Sequence, residues 1–152
     1  MIIKEQIDLS CFNTTRMLHI YLPDDRQEGE KFPVLYMFDG HNLFYDHDAT
    51  YGKSWGLKDY LDEHHTRLIV VGLECNHEGN ERLSEFTPYP FYEEEWGYVE
   101  QKGQVLLEWM IHELKPYIDS HLPTLTDRKH TYIGGSSMGG IMALYGIKIP
   151  YN

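Results

Sequence analysis

This sequence is short of cysteine, of positive charge and of long apolar runs. Its two cysteines, Cys11 and Cys75, stand far apart in no metal-type spacing. That argues against a disulfide framework and a cysteine-built metal site, and the pair reads as free thiols of a reducing cytoplasm. A net charge of −11 leaves nothing to attract a nucleic acid or an anionic membrane surface. The longest apolar run, Leu68 to Leu73, is far too short to cross a bilayer. Glu5 and Asp8 stand where a signal peptide would need an apolar core. The last shortage is one of position: past Ser137 there is no Asp, Glu or His.

What is present suits a globular chain. The 152 residues are 41% hydrophobic and 14% aromatic, which fits one domain with a real core and excludes disorder. Arg16 to Leu22 alternates like a strand and stops at Pro23. Pro33 to Phe38 and Leu68 to Leu73 are continuous apolar runs of strand length, the signature of parallel strands buried on both faces. Ser54 is placed to cap a helix running to about His65. Leu107, Met110, Ile111, Leu114, Ile118 and Leu122 recur at helical spacing, with a kink expected at Pro116. Residues 74–103 read as one long loop overhanging the site, in which Phe86, Tyr89, Phe91, Tyr92 and Trp96 either form a wall for an acyl or aryl group or pack the loop onto its own domain. Strands alternating with helices predict an α/β fold: a mostly parallel sheet with helices on both faces.

The stretch from Lys129 to Ile147 organises the rest. A short β run, Thr131 to Ile133, enters Gly134-Gly135-Ser136-Ser137-Met138-Gly139-Gly140, and an apolar helical run leaves it. Gly135 to Gly139 is a G-x-S-x-G match centred on Ser137. A strand that reverses into a helix within about one residue holds the serine in a strained conformation, and the residues two away on each side come too close for a Cβ. The serine hydroxyl then stands clear of the sheet at a helix N-terminus, where the Met138 N–H can stabilise an oxyanion. A phosphate loop is excluded, because no Lys-Ser or Lys-Thr follows these glycines. A second oxyanion donor should come from the loop after the Pro33–Phe38 strand. There Asp39-Gly40-His41 offers a glycine for close backbone approach, followed by the His41 N–H.

The segments Pro33 to Phe44, Ser54 to Leu57, Arg82 to Pro88, Glu113 to Asp119 and Gly134 to Gly140 together resemble the putative esterase family of α/β-hydrolases. That family includes esterase D-like enzymes, enterochelin esterases, feruloyl esterases and mycolyltransferases. The resemblance implies an α/β-hydrolase fold, a serine carboxylic-ester hydrolase acting through an acyl-enzyme, a small-molecule ester as partner, and neither cofactor nor metal. It places the nucleophile on Ser137 and the oxyanion donors on the backbone N–H groups of Met138 and His41; the turn after the Pro33–Phe38 strand and the long loop add Asp39, Gly40 and Trp96 as candidate substrate contacts. Family members run to about 250 residues and carry the acid and histidine after the serine, in that order. The chain is therefore expected to be one incomplete domain over residues 1–152, stopping after the elbow helix, and inactive or weak by itself.

Three other readings stay open beside this one. His41, with Asp39 close by, would serve as an upstream base. Asp39, His41, Asp46, His47 and Asp48 would form a metal site, although they match no zinc motif. The chain would otherwise be a non-catalytic interaction domain or remnant. In any of these cases the last strand is expected at a sheet edge, with Ile141, Met142, Leu144 and Tyr145 partly uncovered and the chain self-associating there.

Overall fold

A computed structural model describes residues 1–149 of the 152-residue chain. In chain order its main elements are strands β1 (Ile2–Leu9), β2 (Thr14–Tyr21) and β3 (Val34–Phe38), helix α1 (Leu57–Glu63), strand β4 (Ile69–Leu73) and helix α2 (Glu81–Glu85). A small hairpin of β5 (Phe91–Glu93) and β6 (Gly97–Val99) follows, then helices α3 (Gly103–Trp109) and α4 (Lys115–His121), strand β7 (Thr131–Gly134) and helix α5 (Met138–Gly146).

Five strands form one sheet in the order β1-β2-β4-β3-β7. β3 pairs in parallel with β4 on one side and β7 on the other. β1 and β2 extend the sheet as an antiparallel pair beyond β4. The parallel centre is where the apolar runs placed it: all five residues of β4 are buried, and they pair Ile69 to Leu73 with Val34 to Phe38 in direct register. β1 escaped the sequence reading because Lys4, Gln6 and Asp8 face water, and only the alternate residues turn inward.

Helices cover both faces, as a parallel sheet requires. On one face Tyr21, Leu43, Phe44, Leu61 and Val70 form a small core under α1. On the other, Phe38, Val71 and Leu73 pack with Leu106, Leu107 and Trp109 of α3, Leu114 just before α4, Ile118 of α4 and Met142 of α5.

Three local expectations need correction. Ser54 is not the cap of α1. Its Oγ accepts the Gly56 N–H at 3.2 Å, Gly56 takes the left-handed cap position at φ 68°, and the Leu57 N–H goes to the Leu43 carbonyl at 3.0 Å. The kink expected at Pro116 is instead a wide π turn over Met110–Leu114, continuous with α3 and α4. A widened turn just before a proline accommodates both its missing N–H and the clash of its ring with the preceding turn. The stretch 74–103 is not a single loop, since it holds α2 and the β5–β6 hairpin.

β7 ends the sheet among the described residues, and the apolar face beside it is open. Tyr132, Ile141, Leu144 and Ile147 are 51%, 49%, 66% and 64% exposed. No described helix is long and apolar enough to cross a membrane.

Candidate active site

Ser137 sits between β7 and α5 at φ 57°, ψ −121°, outside the regions open to an unstrained L-residue. Only close crowding of the backbone holds it there. A Cβ added to Gly135 would lie 2.4 Å from the carbonyl carbon and oxygen of Gly139, so those two backbones touch across the serine. α5 begins at the next residue: Gly139 N–H bonds the Ser136 carbonyl at 2.9 Å and Ile141 N–H the Ser137 carbonyl at 3.2 Å. The Met138 N–H bonds no described backbone group, as befits the first turn of a helix. Ser137 itself is exposed, and no described side chain hydrogen-bonds its hydroxyl.

The turn after β3 lies against this elbow. A Cβ on Gly139 would stand 3.1 Å from Phe38 Cβ and 3.6 Å from Asp39 Oδ2. Asp39 takes the left-handed conformation at φ 58° and starts a 3₁₀ turn over Gly40–Asn42. Its carboxylate is buried in a two-pronged ion pair with Arg82 of α2, at 3.0 and 2.7 Å, and the Arg82 guanidinium rests over the Phe86 ring. Asp39 is therefore committed to the scaffold and is not available to orient a base. Gly40 is required for a reason other than substrate access. A Cβ there would meet the Gly72 backbone at 2.4 Å, so the turn crosses directly over β4. The His41 N–H, like that of Met138, bonds no described backbone group.

The His41 ring makes no described hydrogen bond to Ser137 and is engaged elsewhere. It is buried, its Nε2 lies 3.0 Å from Thr50 Oγ1, and it packs edge-on against His77 with ring centroids 4.6 Å apart. Burial, with His77 adding to it, holds its pKa below the usual histidine value. The carboxylates of the metal cluster suggested by sequence disperse. Asp46 accepts the Ser54 N–H at 2.8 Å, Asp48 takes Lys4 at 2.7 Å, and His47 stacks on Tyr45.

The aromatic wall divides. Phe86 is core, edge-on to Phe38 at 5.1 Å between centroids. Tyr89 and Phe91 face α5 across an apolar cleft of about 450 Å³ whose far side includes Met138, Ile141 and Leu144. Trp96, in the β5–β6 turn, is 43% exposed and does not line that cleft.

Comparison with known proteins gives this arrangement a family. The family described as Putative esterase matches residues 10–148. The chain belongs to it. Solved structures related to this esterase-family chain share its α/β-hydrolase fold. An IroE-like serine hydrolase from Shewanella oneidensis superposes with a TM-score of 0.75 at 21% identity, over 95% of this chain and 45% of its own. The BES protein from Bacillus cereus gives 0.68 at 22% identity, over 95% and 54%. A ferulic acid esterase from Anaeromyces mucronatus, solved with ferulic acid, gives 0.63 at 22% identity, over 96% and 52%. The chain thus spans about half the length of these relatives. No curated protein matches its sequence.

Proposed function

We propose that this chain carries the nucleophile half of a serine carboxylic-ester hydrolase. The observation that carries the reading is Ser137 itself. A non-glycine residue is held at φ 57°, ψ −121° between two glycines in backbone contact, where a strand turns into a helix. Strain of this kind costs about 1–3 kcal/mol and persists where function needs the geometry.

In the proposed reaction Ser137 Oγ attacks the ester carbonyl carbon and its proton passes to a histidine. The carbonyl oxygen becomes an oxyanion between the N–H groups of Met138 and His41. Collapse expels the alcohol, which takes the proton back, and leaves an acyl group on Ser137. Water then releases the acid by the same steps. The acyl or aryl part lies in the cleft between Tyr89, Phe91 and α5, next to Met138. The histidine and its orienting acid would lie outside this sequence, whose last residues contain neither type. In keeping with two unpaired cysteines, the reading includes a cytoplasmic location.

The test is kinetic. In the protein isolated at the length its source cells make, Ser137→Ala should lower p-nitrophenyl acetate hydrolysis at least about 10³-fold. Activity retained by that variant would overturn the assignment. The 152-residue chain alone should show at most a weak rate, since an oxyanion site without a base leaves only residual catalysis.

The alternative reading is a non-catalytic relative of the family, and the Ser137→Ala comparison separates the two. Under either reading the open face of β7 and α5 makes the 152-residue chain self-associate, and a monomer at micromolar concentration by light scattering would contradict that.

A further inference from the structure

Beside the Asp39–Asn42 turn three side chains of metal-ligating chemistry converge. They come from two places in the sequence that the sheet brings together. β3 and β4 are parallel neighbours with Phe38 opposite Leu73, so the chain leaving β3 at residues 39–41 runs beside the chain leaving β4 at residues 74–77. One ligand atom each from His41, Cys75 and His77 lies within 4.8 Å of the others. Cys75 Sγ is 3.8 Å from His77 Nδ1. His41 Nδ1 is buried and has no hydrogen-bond partner among the described residues, in a residue only 4% exposed. Leaving such a nitrogen unpaired is costly unless something binds it.

The surroundings match what a metal-binding histidine needs. The other ring nitrogen of each histidine is already held, His41 Nε2 by Thr50 Oγ1 at 3.0 Å and His77 Nε2 by Glu74 Oε1 at 2.7 Å. A carboxylate or hydroxyl on the far nitrogen fixes the ring and leaves the near nitrogen as the donor. Glu74 is held in turn by the buried His19, whose Nε2 lies 2.7 Å from its second oxygen.

We propose that His41 Nδ1, Cys75 Sγ and His77 Nδ1 form a site for one divalent transition-metal ion of the zinc class. Two imidazoles and one thiolate suit zinc, with a fourth position left for water on the exposed His77 side. Tetrahedral zinc sets neighbouring nitrogen and sulfur ligands about 3.3–3.8 Å apart. The Cys75–His77 separation of 3.8 Å already meets this, and side-chain shifts of about 1 Å close the rest of the set from its 4.8 Å bound. Binding displaces the thiol proton of Cys75 to solvent as the metal–sulfur bond forms, with no change of oxidation state. A metal here would tie the Gly40–Asn42 turn to the end of β4. The site stands on these side chains alone and does not depend on Ser137 being a nucleophile.

Titration of metal-stripped protein with Co²⁺, followed by absorption, tests this. The expected result is one ion per chain, tetrahedral visible bands and a thiolate-to-cobalt charge-transfer band, displaced by one equivalent of Zn²⁺. Cys75→Ser should remove the charge-transfer band, and Cys11→Ser should leave it. His77→Ala, a change at an exposed residue that does not threaten folding, should weaken Co²⁺ and Zn²⁺ binding at least tenfold, while His47→Ala should not. No saturable binding to the folded protein would overturn the proposal. So would a charge-transfer band that survives Cys75→Ser or is lost in Cys11→Ser, or an affinity that His77→Ala leaves unchanged.

Discussion

Two turns meet at the candidate site, and they are built in opposite ways. The elbow at Gly134–Gly140 is encoded locally. Its geometry follows from glycines within two residues of Ser137, and the tightest contact is between Gly135 and Gly139. The turn at Asp39–Asn42 is encoded at a distance. Its Asp39 is clamped by Arg82, its Gly40 lies on Gly72, and its His41 ring rests on Thr50 and His77. Both turns offer an N–H with no described backbone acceptor, from Met138 and from His41. One half of the site can therefore fold with its own segment, while the other needs β4 and α2 already in place.

The largest effect should come from cutting the long-range support. Arg82→Met leaves the Asp39 carboxylate buried without its partner and should cost about 3 kcal/mol, at the low end for a broken buried pair because Arg82 is partly exposed. Adding Asp39→Asn should recover most of that loss, as denaturant unfolding of the four proteins in the cycle would show. If the single and double variants are equally stable, the clamp is not what holds the turn.

Next come the two glycines in backbone contact. Gly135→Ala and Gly40→Ala each place a Cβ 2.4 Å from another backbone, so each should cost about 2 kcal/mol. The comparison sharpens in what else they change. Gly135→Ala should also disrupt reaction at Ser137, whereas Gly40→Ala should weaken metal retention at His41. Equal effects of both variants on both readouts would mean the two turns form one unit.

The smallest expected effect has the opposite sign. Ser137→Gly removes the strain at φ 57° and should raise stability by about 1 kcal/mol, or about 2–4 °C in Tm, while abolishing any esterase activity. A lower Tm in this variant would mean that the serine side chain is itself a stabilising contact.

The same contrast explains what the sequence could reveal. β3, β4, β7 and the elbow are legible because continuous apolar runs and clustered glycines are local signals, and an α/β fold with a mostly parallel sheet follows from them; the α/β-hydrolase fold is what the family resemblance adds. β1 was hidden by its water-facing charged residues, and the Arg82 clamp by the distance between its partners. An Asp directly after an apolar strand signals a cationic partner elsewhere in the chain, here Arg82. The crossing of Gly40 over Gly72 and the core burial of Phe86 are properties of the tertiary structure, which no local signal carries. The convergence of His41 with Cys75 and His77 depends on β3–β4 register, and no spacing motif records it.

The most direct test of the central claim is to treat the protein, at the length its source cells make, with a fluorophosphonate and map the label by peptide mass spectrometry. The account predicts one phosphonylated residue, Ser137, with loss of ester hydrolysis in proportion to labelling. Hydrolysis that survives full exposure to the reagent, or a label on any residue other than Ser137, would contradict it.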